Sequence, residues 1–172
     1  MKNIAKSLVI AAIAIVSANS SFAQATATAS ATATIITPIT IVKTADMNFG
    51  NVAVSATLAG TVILAPAGTR TTGGAGGVTL PASVGTVTAA SFTVSGQGGY
   101  TYAITLPTSK TLTSGANTMT VDNFSSNPAT TGTLSGAGSQ TLTVGATLNV
   151  TAGQAAGVYT NATGVPVTVN YN

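Results

Sequence analysis

The sequence contains no cysteine, histidine or tryptophan, and only 4% of its residues are charged. Without cysteine or histidine, the chain has no zinc ligands, disulfide, thiol nucleophile or imidazole base. Its two acidic residues, Asp46 and Asp122, would both be needed for one carboxylate pair or one Ca²⁺ site. Its five basic residues are too few for a nucleic-acid footprint. The sequence therefore predicts a protein that is not an enzyme, holds no metal or cofactor, and binds no nucleic acid.

The first 23 residues have the order of a secretory signal peptide. Lys2 and Lys6 precede an apolar run over residues 8–16, and small residues at Ser21 and Ala23 suit a cleavage site. The run is too short to cross a membrane, which takes about 20 apolar residues. The sequence thus predicts export through the inner membrane and a mature chain of about one domain. A short uncleaved membrane tether is the alternative interpretation.

Apolar and hydroxyl-bearing residues alternate with a period of two through most of the remaining chain. Examples are residues 92–94, 100–106, 142–144 and 165–171, and glycine-rich clusters separate them. This pattern predicts short strands with one polar and one apolar face, arranged as an antiparallel β-sandwich with almost no helix. We expect the sandwich to span residues 38–172, after an N-terminal extension over residues 24–37.

The extension has the most regular alternation in the chain. One face carries small apolar residues and the other carries Thr and Ser. No hairpin turn links this run to the next strand, because Thr37-Pro38 is a kink. An uncharged, unpaired strand is an aggregation hazard unless it has a partner elsewhere. The sequence therefore predicts a donor strand for another subunit, with the inward residues Ala25, Ala27, Ala29, Ala31, Ala33 and Ile35; a disordered low-complexity linker is the alternative.

The chain ends in a second alternating run. Pro166 lies within this run and donates no backbone hydrogen bond, which predicts a strand at the edge of a sheet. A free strand at the front and an edge strand at the back are the two halves of a strand-addition joint. The predicted edge of the acceptor groove consists of Val165, Val167, Val169 and Tyr171.

Residues 142–172 resemble the final hairpin of bacterial chaperone–usher pilins, with Tyr171 as the penultimate residue and a turn over residues 157–160. The middle of the chain resembles small exported β-proteins related to spore-coat-U-type pilins, in pieces such as residues 47–50, 60–67 and 102–107. The chain departs from many of these pilins in lacking a Cys pair and in offering mostly Ala in its extension.

The resemblance implies an immunoglobulin-like sandwich that lacks one strand and receives it from the next subunit. Repetition of this head-to-tail contact builds an extracellular fibre, a pilus or fimbria, for adhesion or biofilm cohesion. A periplasmic chaperone and an outer-membrane usher are the partners that the resemblance implies. The alternative is a monomeric secreted sandwich that binds a glycan or a surface through glycine-rich loops such as residues 68–77, which we expect to form a flexible hairpin loop.

Overall fold

The computed structural model describes residues 24–172, so the predicted signal peptide lies outside the described residues. The described part contains strands and connecting segments and no helix, and hence no helix that could cross a membrane. The strands are β1 (Thr40–Ala45), β2 (Asn48–Phe49), β3 (Ala53–Val54), β4 (Gly60–Leu64), β5 (Arg70–Gly73), β6 (Val78–Thr79), β7 (Val87–Thr88), β8 (Ala90–Ser95), β9 (Thr101–Thr105), β10 (Ser109–Ser114), β11 (Asn117–Asn127), β12 (Thr131–Thr133), β13 (Ser139–Val150) and β14 (Thr168–Tyr171).

A seven-stranded antiparallel sheet is built around β13, the longest strand. The sheet order is β1-β8-β13-β11-β10, and β4 and β5 extend it from the second half of β13. One edge of β13 pairs first with β8, over Ser139–Val144, and then with β4, over Ala146–Val150. Gly145 lies at this change of partner. The other edge of β13 pairs with β11.

A second antiparallel sheet has the order β12-β9-β14, so the C-terminal strand β14 lies at its edge. Two short ladders, β2-β7 and β3-β6, complete the pairing. The expected all-β, antiparallel, sandwich-like fold is confirmed. The alternation in the sequence corresponds to alternating burial in the strands: on β8, Ala90, Phe92 and Val94 are buried, and the residues between them are not.

The core consists of two clusters along the sandwich. The first packs β4, β11 and the second half of β13 against Phe49 and Val78. The second packs β8 and the first half of β13 against Tyr102 of β9 and Val169 of β14. Ile39 and Ile41 pack against this second cluster, as expected for residues that begin the sandwich.

The compact unit begins at Ile36, whereas the sequence placed its start at residue 38. Thr37 explains the difference. Its carbonyl accepts a hydrogen bond of 2.8 Å from the Tyr171 hydroxyl, and that hydroxyl accepts one of 2.6 Å from the backbone N–H of Gln97. The Tyr171 ring also packs edge-on against Tyr100, with the centroids 5.8 Å apart. The C-terminal tyrosine thus holds the first residues of the domain in place.

One sequence prediction about the fold is wrong. Residues 68–77 do not form a hairpin loop throughout, because Arg70–Gly73 is strand β5. This strand pairs antiparallel with β4, so that Gly73 lies opposite Thr61 and Arg70 lies opposite Leu64. The glycine and threonine content of this segment is typical of a turn. Pairing with an existing sheet edge overrides that local preference.

The fully buried Tyr102 makes the stability of the fold sensitive to alkaline pH. Its hydroxyl donates a 2.8 Å hydrogen bond to Oε1 of Gln140, and burial raises the pKa of Tyr102 above its ordinary value of 10.0. The unfolded chain therefore loses this proton at lower pH than the folded chain. The contribution of Tyr102 to the free energy of unfolding should be fully present below pH 10 and fall as the pH rises through and above 10.

Urea denaturation at pH 8, 10 and 11 measures this decline. The Tyr102→Phe chain should lose the part of the decline that the buried phenol causes. The Tyr100→Phe chain keeps that phenol and should retain the decline. Equal pH dependence in the wild-type and Tyr102→Phe chains would contradict the assignment.

Candidate functional site

A groove of about 1080 Å³ opens along the sandwich and spans both core clusters. Its floor is apolar and comes from four strands: Phe92 on β8, Leu112 on β10, Met119 and Val121 on β11, and Leu148 on β13. Cross-strand register explains this surface, because Leu112 lies opposite Met119 and Val121 lies opposite Leu148. An apolar floor that takes side chains from four strands suits an extended apolar segment better than a small polar ligand.

One side of the groove, which we call the first bank, is the segment over residues 43–52. It begins at an irregularity between Lys43 and Ala45, where the β1–β8 register shifts. The Arg70 guanidinium holds the backbone of the first bank in place, since its Nη1 donates to the carbonyls of Phe49 at 2.5 Å and Asn51 at 2.8 Å. Its buried Nη2 atom has no hydrogen-bond partner among residues 24–172.

Gly50 is required for this bank. Its φ of +69° is one that side-chain-bearing residues rarely adopt, and a Cβ there would lie 2.4 Å from the carbonyl oxygen of Val84 and 2.8 Å from Nη1 of Arg70. The backbone N–H of the next residue, Asn51, donates to the same Val84 oxygen at 2.8 Å. The bank therefore approaches two neighbours more closely than any side chain at this position would allow.

The other side, the second bank, is the irregular segment over residues 154–165. Gln154 fixes its start, because its amide donates to the carbonyl of Thr118 at 3.2 Å and to the hydroxyl of Tyr159 at 2.8 Å. The side chain of Val158 on this bank is 81% exposed. An apolar side chain this exposed beside an apolar floor marks a surface that is incompletely covered.

The rim of the groove carries most of the charge in the described chain. Lys43 and Asp46 form an ion pair of 2.6 Å on the first bank, and Lys110 lies among the lining residues on β10. The remaining charged residues of the described part are Arg70 and Asp122. Because this ion pair is exposed to solvent, it adds little stability. The residues of the groove floor carry no charge.

The model of one domain family matches residues 39–171, and its description is a domain of unknown function, DUF4402. The chain belongs to the DUF4402 family. No curated protein and no solved structure matches the chain. The matched residues include both banks and the whole floor of the groove, whereas residues 24–35 precede the matched segment.

The predicted edge residues on the C-terminal strand occupy different surroundings in the DUF4402 domain. Val165 lines the groove. Val167 and Tyr171 are half-buried against the second core cluster, and Val169 belongs to that cluster. The structure therefore brings one of the four residues to the groove and places the other three in or against the core.

The predicted donor residues precede the DUF4402 domain. Residues 24–35 form no strand, and their side chains are exposed, with Ile35 96% exposed. Exposed residues without a strand are expected in a single chain both for a donor strand whose partner is another molecule and for a linker.

The second bank was not predicted from the sequence, which indicated only a turn over residues 157–160. Apolar alternation marks only residues 165–171, because Asn161 and Thr163 place polar side chains at the two inward positions before Val165.

Proposed function

We propose that this protein is the structural subunit of an extracellular bacterial fibre, in which the N-terminal extension of one copy fills the groove of the next. The observation that carries the proposal is that one chain contains two incomplete parts. One is an apolar, uncharged groove floor that takes side chains from four strands, and the other is an extension without charge whose apolar face is exposed. Each part has the chemistry that the other needs.

The sizes agree. A strand occupies about 3.3 Å along its axis, 4.8 Å across the sheet and 10 Å between sheets, so a groove of 1080 Å³ holds about seven residues. Residues 24–35 exceed that length. Alternation would direct Ala29, Ala31, Ala33 and Ile35 to the floor and the intervening hydroxyl groups to water.

The energetics favour backbone pairing over filling of deep pockets. Burying Ile35 contributes about 1.5–3 kcal/mol, and each Ala contributes less. Each backbone hydrogen bond adds about 0.5–1.5 kcal/mol net, so seven paired residues contribute at least as much as the side chains. A contact of this kind joins two different surfaces of the same molecule, so its repetition generates a filament where the rotation between copies does not close a ring.

Deleting residues 24–35 tests the proposal. The full-length and deleted chains are exported, and the secreted particles are examined by electron microscopy. We expect filaments from the full-length chain and folded particles without filaments from the deletion. Filaments from the deleted chain, or a full-length chain that stays a stable monomer at all concentrations, would contradict the proposal; the second result would support the monomeric binding module instead.

A matched pair of substitutions separates a donor strand from a linker. Ala31→Asp places a charge on the face that would enter the groove, and Thr32→Asp places the same charge on the opposite face. A donor strand loses assembly only with Ala31→Asp, because a buried unpaired carboxylate costs several kcal/mol. A linker responds equally to both.

A further inference from the structure

The burial pattern of a strand extends further along the C-terminal segment than the hydrogen-bonded ladder does. Between Tyr159 and Tyr171 every second side chain except that of Thr163 is at least half-buried, and the side chains between them are exposed. This is the alternation of a continuous strand. However, only Thr168–Tyr171 pairs in a ladder, with β9.

A single bridge continues the pairing beyond that ladder. The backbone N–H of Thr113 on β10 donates to the carbonyl of Thr160 at 2.8 Å, and the N–H of Thr160 donates to the carbonyl of Thr113 at 3.0 Å. In an antiparallel ladder, the next mutual pair lies two residues along each strand. That register places Ala162 opposite Thr111 and assigns the Thr111 carbonyl to the N–H of Ala162.

The side chain of Asn161 has taken that place. Its Nδ2 donates to the Thr111 carbonyl at 2.7 Å, and its Oδ1 accepts from the N–H and the hydroxyl of Thr163, both at 2.9 Å. Gly164 follows with a φ of +68°. This turn over residues 161–164 therefore satisfies the free carbonyl of β10 and stops the ladder at one bridge.

The same turn forms part of the second bank, since Asn161, Gly164 and Val165 line the groove. We infer that it is a switch: it is closed when the groove is empty, and it opens into strand when the extension of a second copy enters. β14 then continues back to Thr160, with β10 along one edge and the incoming extension along the other. This inference rests on the proposed function.

The direction of the switch follows from differential binding. An extended second bank offers the incoming strand a row of backbone N–H and C=O groups, whereas the turn directs several of these groups into itself. A ligand shifts an equilibrium toward the state that it binds better. Binding of the extension in the groove therefore favours the extended state. Each subunit extends β14 back to Thr160 only when its groove holds the extension of another copy.

Amide hydrogen exchange on the whole exported chain tests the switch. The exchange of Ala162, Thr163, Gly164 and Val165 is measured in the unassembled and the assembled chain. We expect these amides to exchange at least about tenfold more slowly after assembly, while the amide of Asn170, which pairs with Ala103 of β9, is protected in both states. Assembly without added protection at residues 162–165 would overturn the switch and leave the fibre proposal standing. A chain that never assembles would reject both.

A second measurement uses the assembly rate. Asn161→Ala removes the side chain that closes the turn, and Asn170→Ala removes an exposed amide of the same type on β14. We expect Asn161→Ala to assemble about two- to tenfold faster than wild type, the factor that one net hydrogen bond represents, and Asn170→Ala to match wild type. An unchanged or slower rate for Asn161→Ala would mean that the turn does not restrain the strand.

Discussion

We expect the Met119→Arg chain to be secreted and folded but to form no filaments. Met119 lies on the groove floor opposite Leu112, where it packs against the first core cluster but stays partly exposed, so an arginine there can reach water and the subunit can still fold. An incoming extension would cover the guanidinium group without pairing it. Burial of an unpaired charge costs several kcal/mol, and about 3 kcal/mol already lowers occupancy more than a hundredfold.

Thr120→Arg is the matched control, because Thr120 is the next residue of β11 and faces away from the groove. Both variants are compared with wild type for filament yield by electron microscopy and for the urea midpoint of the unassembled chain. Filaments from Met119→Arg at the wild-type yield would mean that the floor of the groove is not covered during assembly. Equal loss in both variants would indicate a general effect of charge on β11.

The second large effect concerns stability. Gly145→Ala should lower the free energy of unfolding by about 3 kcal/mol, the upper part of the range for overpacked sites. A Cβ at Gly145 would lie 2.1 Å from the carbonyl oxygen of Leu64 and within 2.7 Å of backbone atoms of Ala65 and Pro66. These are main-chain atoms at the end of β4, so they cannot rotate away as a flexible side chain would.

Gly136→Ala is the control, because a Cβ at Gly136 meets nothing within 4 Å. We expect its effect to stay within about 0.5 kcal/mol. Urea denaturation of both variants measures the difference. Similar midpoints would mean that β4 can shift away from β13 at little cost, and that the change of partner at Gly145 does not depend on close approach.

The position of the groove explains why the second bank could not be found from the sequence. Residues 154–165 contain Ala, Gly, Asn and Thr in an order that predicts turns. They become one side of a groove because Gln154 bonds to Thr118 and Thr160 bonds to Thr113. Both partners are far away in the chain, and local propensity carries no information about such contacts. The same holds for β5, where pairing with β4 converts a glycine-rich segment into strand.

The predicted groove edge shows the limit of alternation as a signal. Alternation correctly distinguishes inward from outward residues in the C-terminal strand, since Val165, Val167, Val169 and Tyr171 are all at least half-buried. It does not say what the inward side chains contact. Val169 and Tyr171 contact the neighbouring sheet and the start of the domain, because β9 pairs with this part of the strand and leaves the groove to Val165.

The sequence by itself determined the chemistry and the class of the fold. The lack of Cys and His and the scarcity of charge are properties of composition, and the alternation with a period of two dictates strands with one apolar face, whatever their order. The tertiary structure alone decided which strands meet. β13 changes its partner from β8 to β4 at Gly145, and the floor of the groove gathers residues from four strands. The physical reason is that backbone hydrogen bonds between strands are identical for every pair. Only the packing of the whole core selects one arrangement.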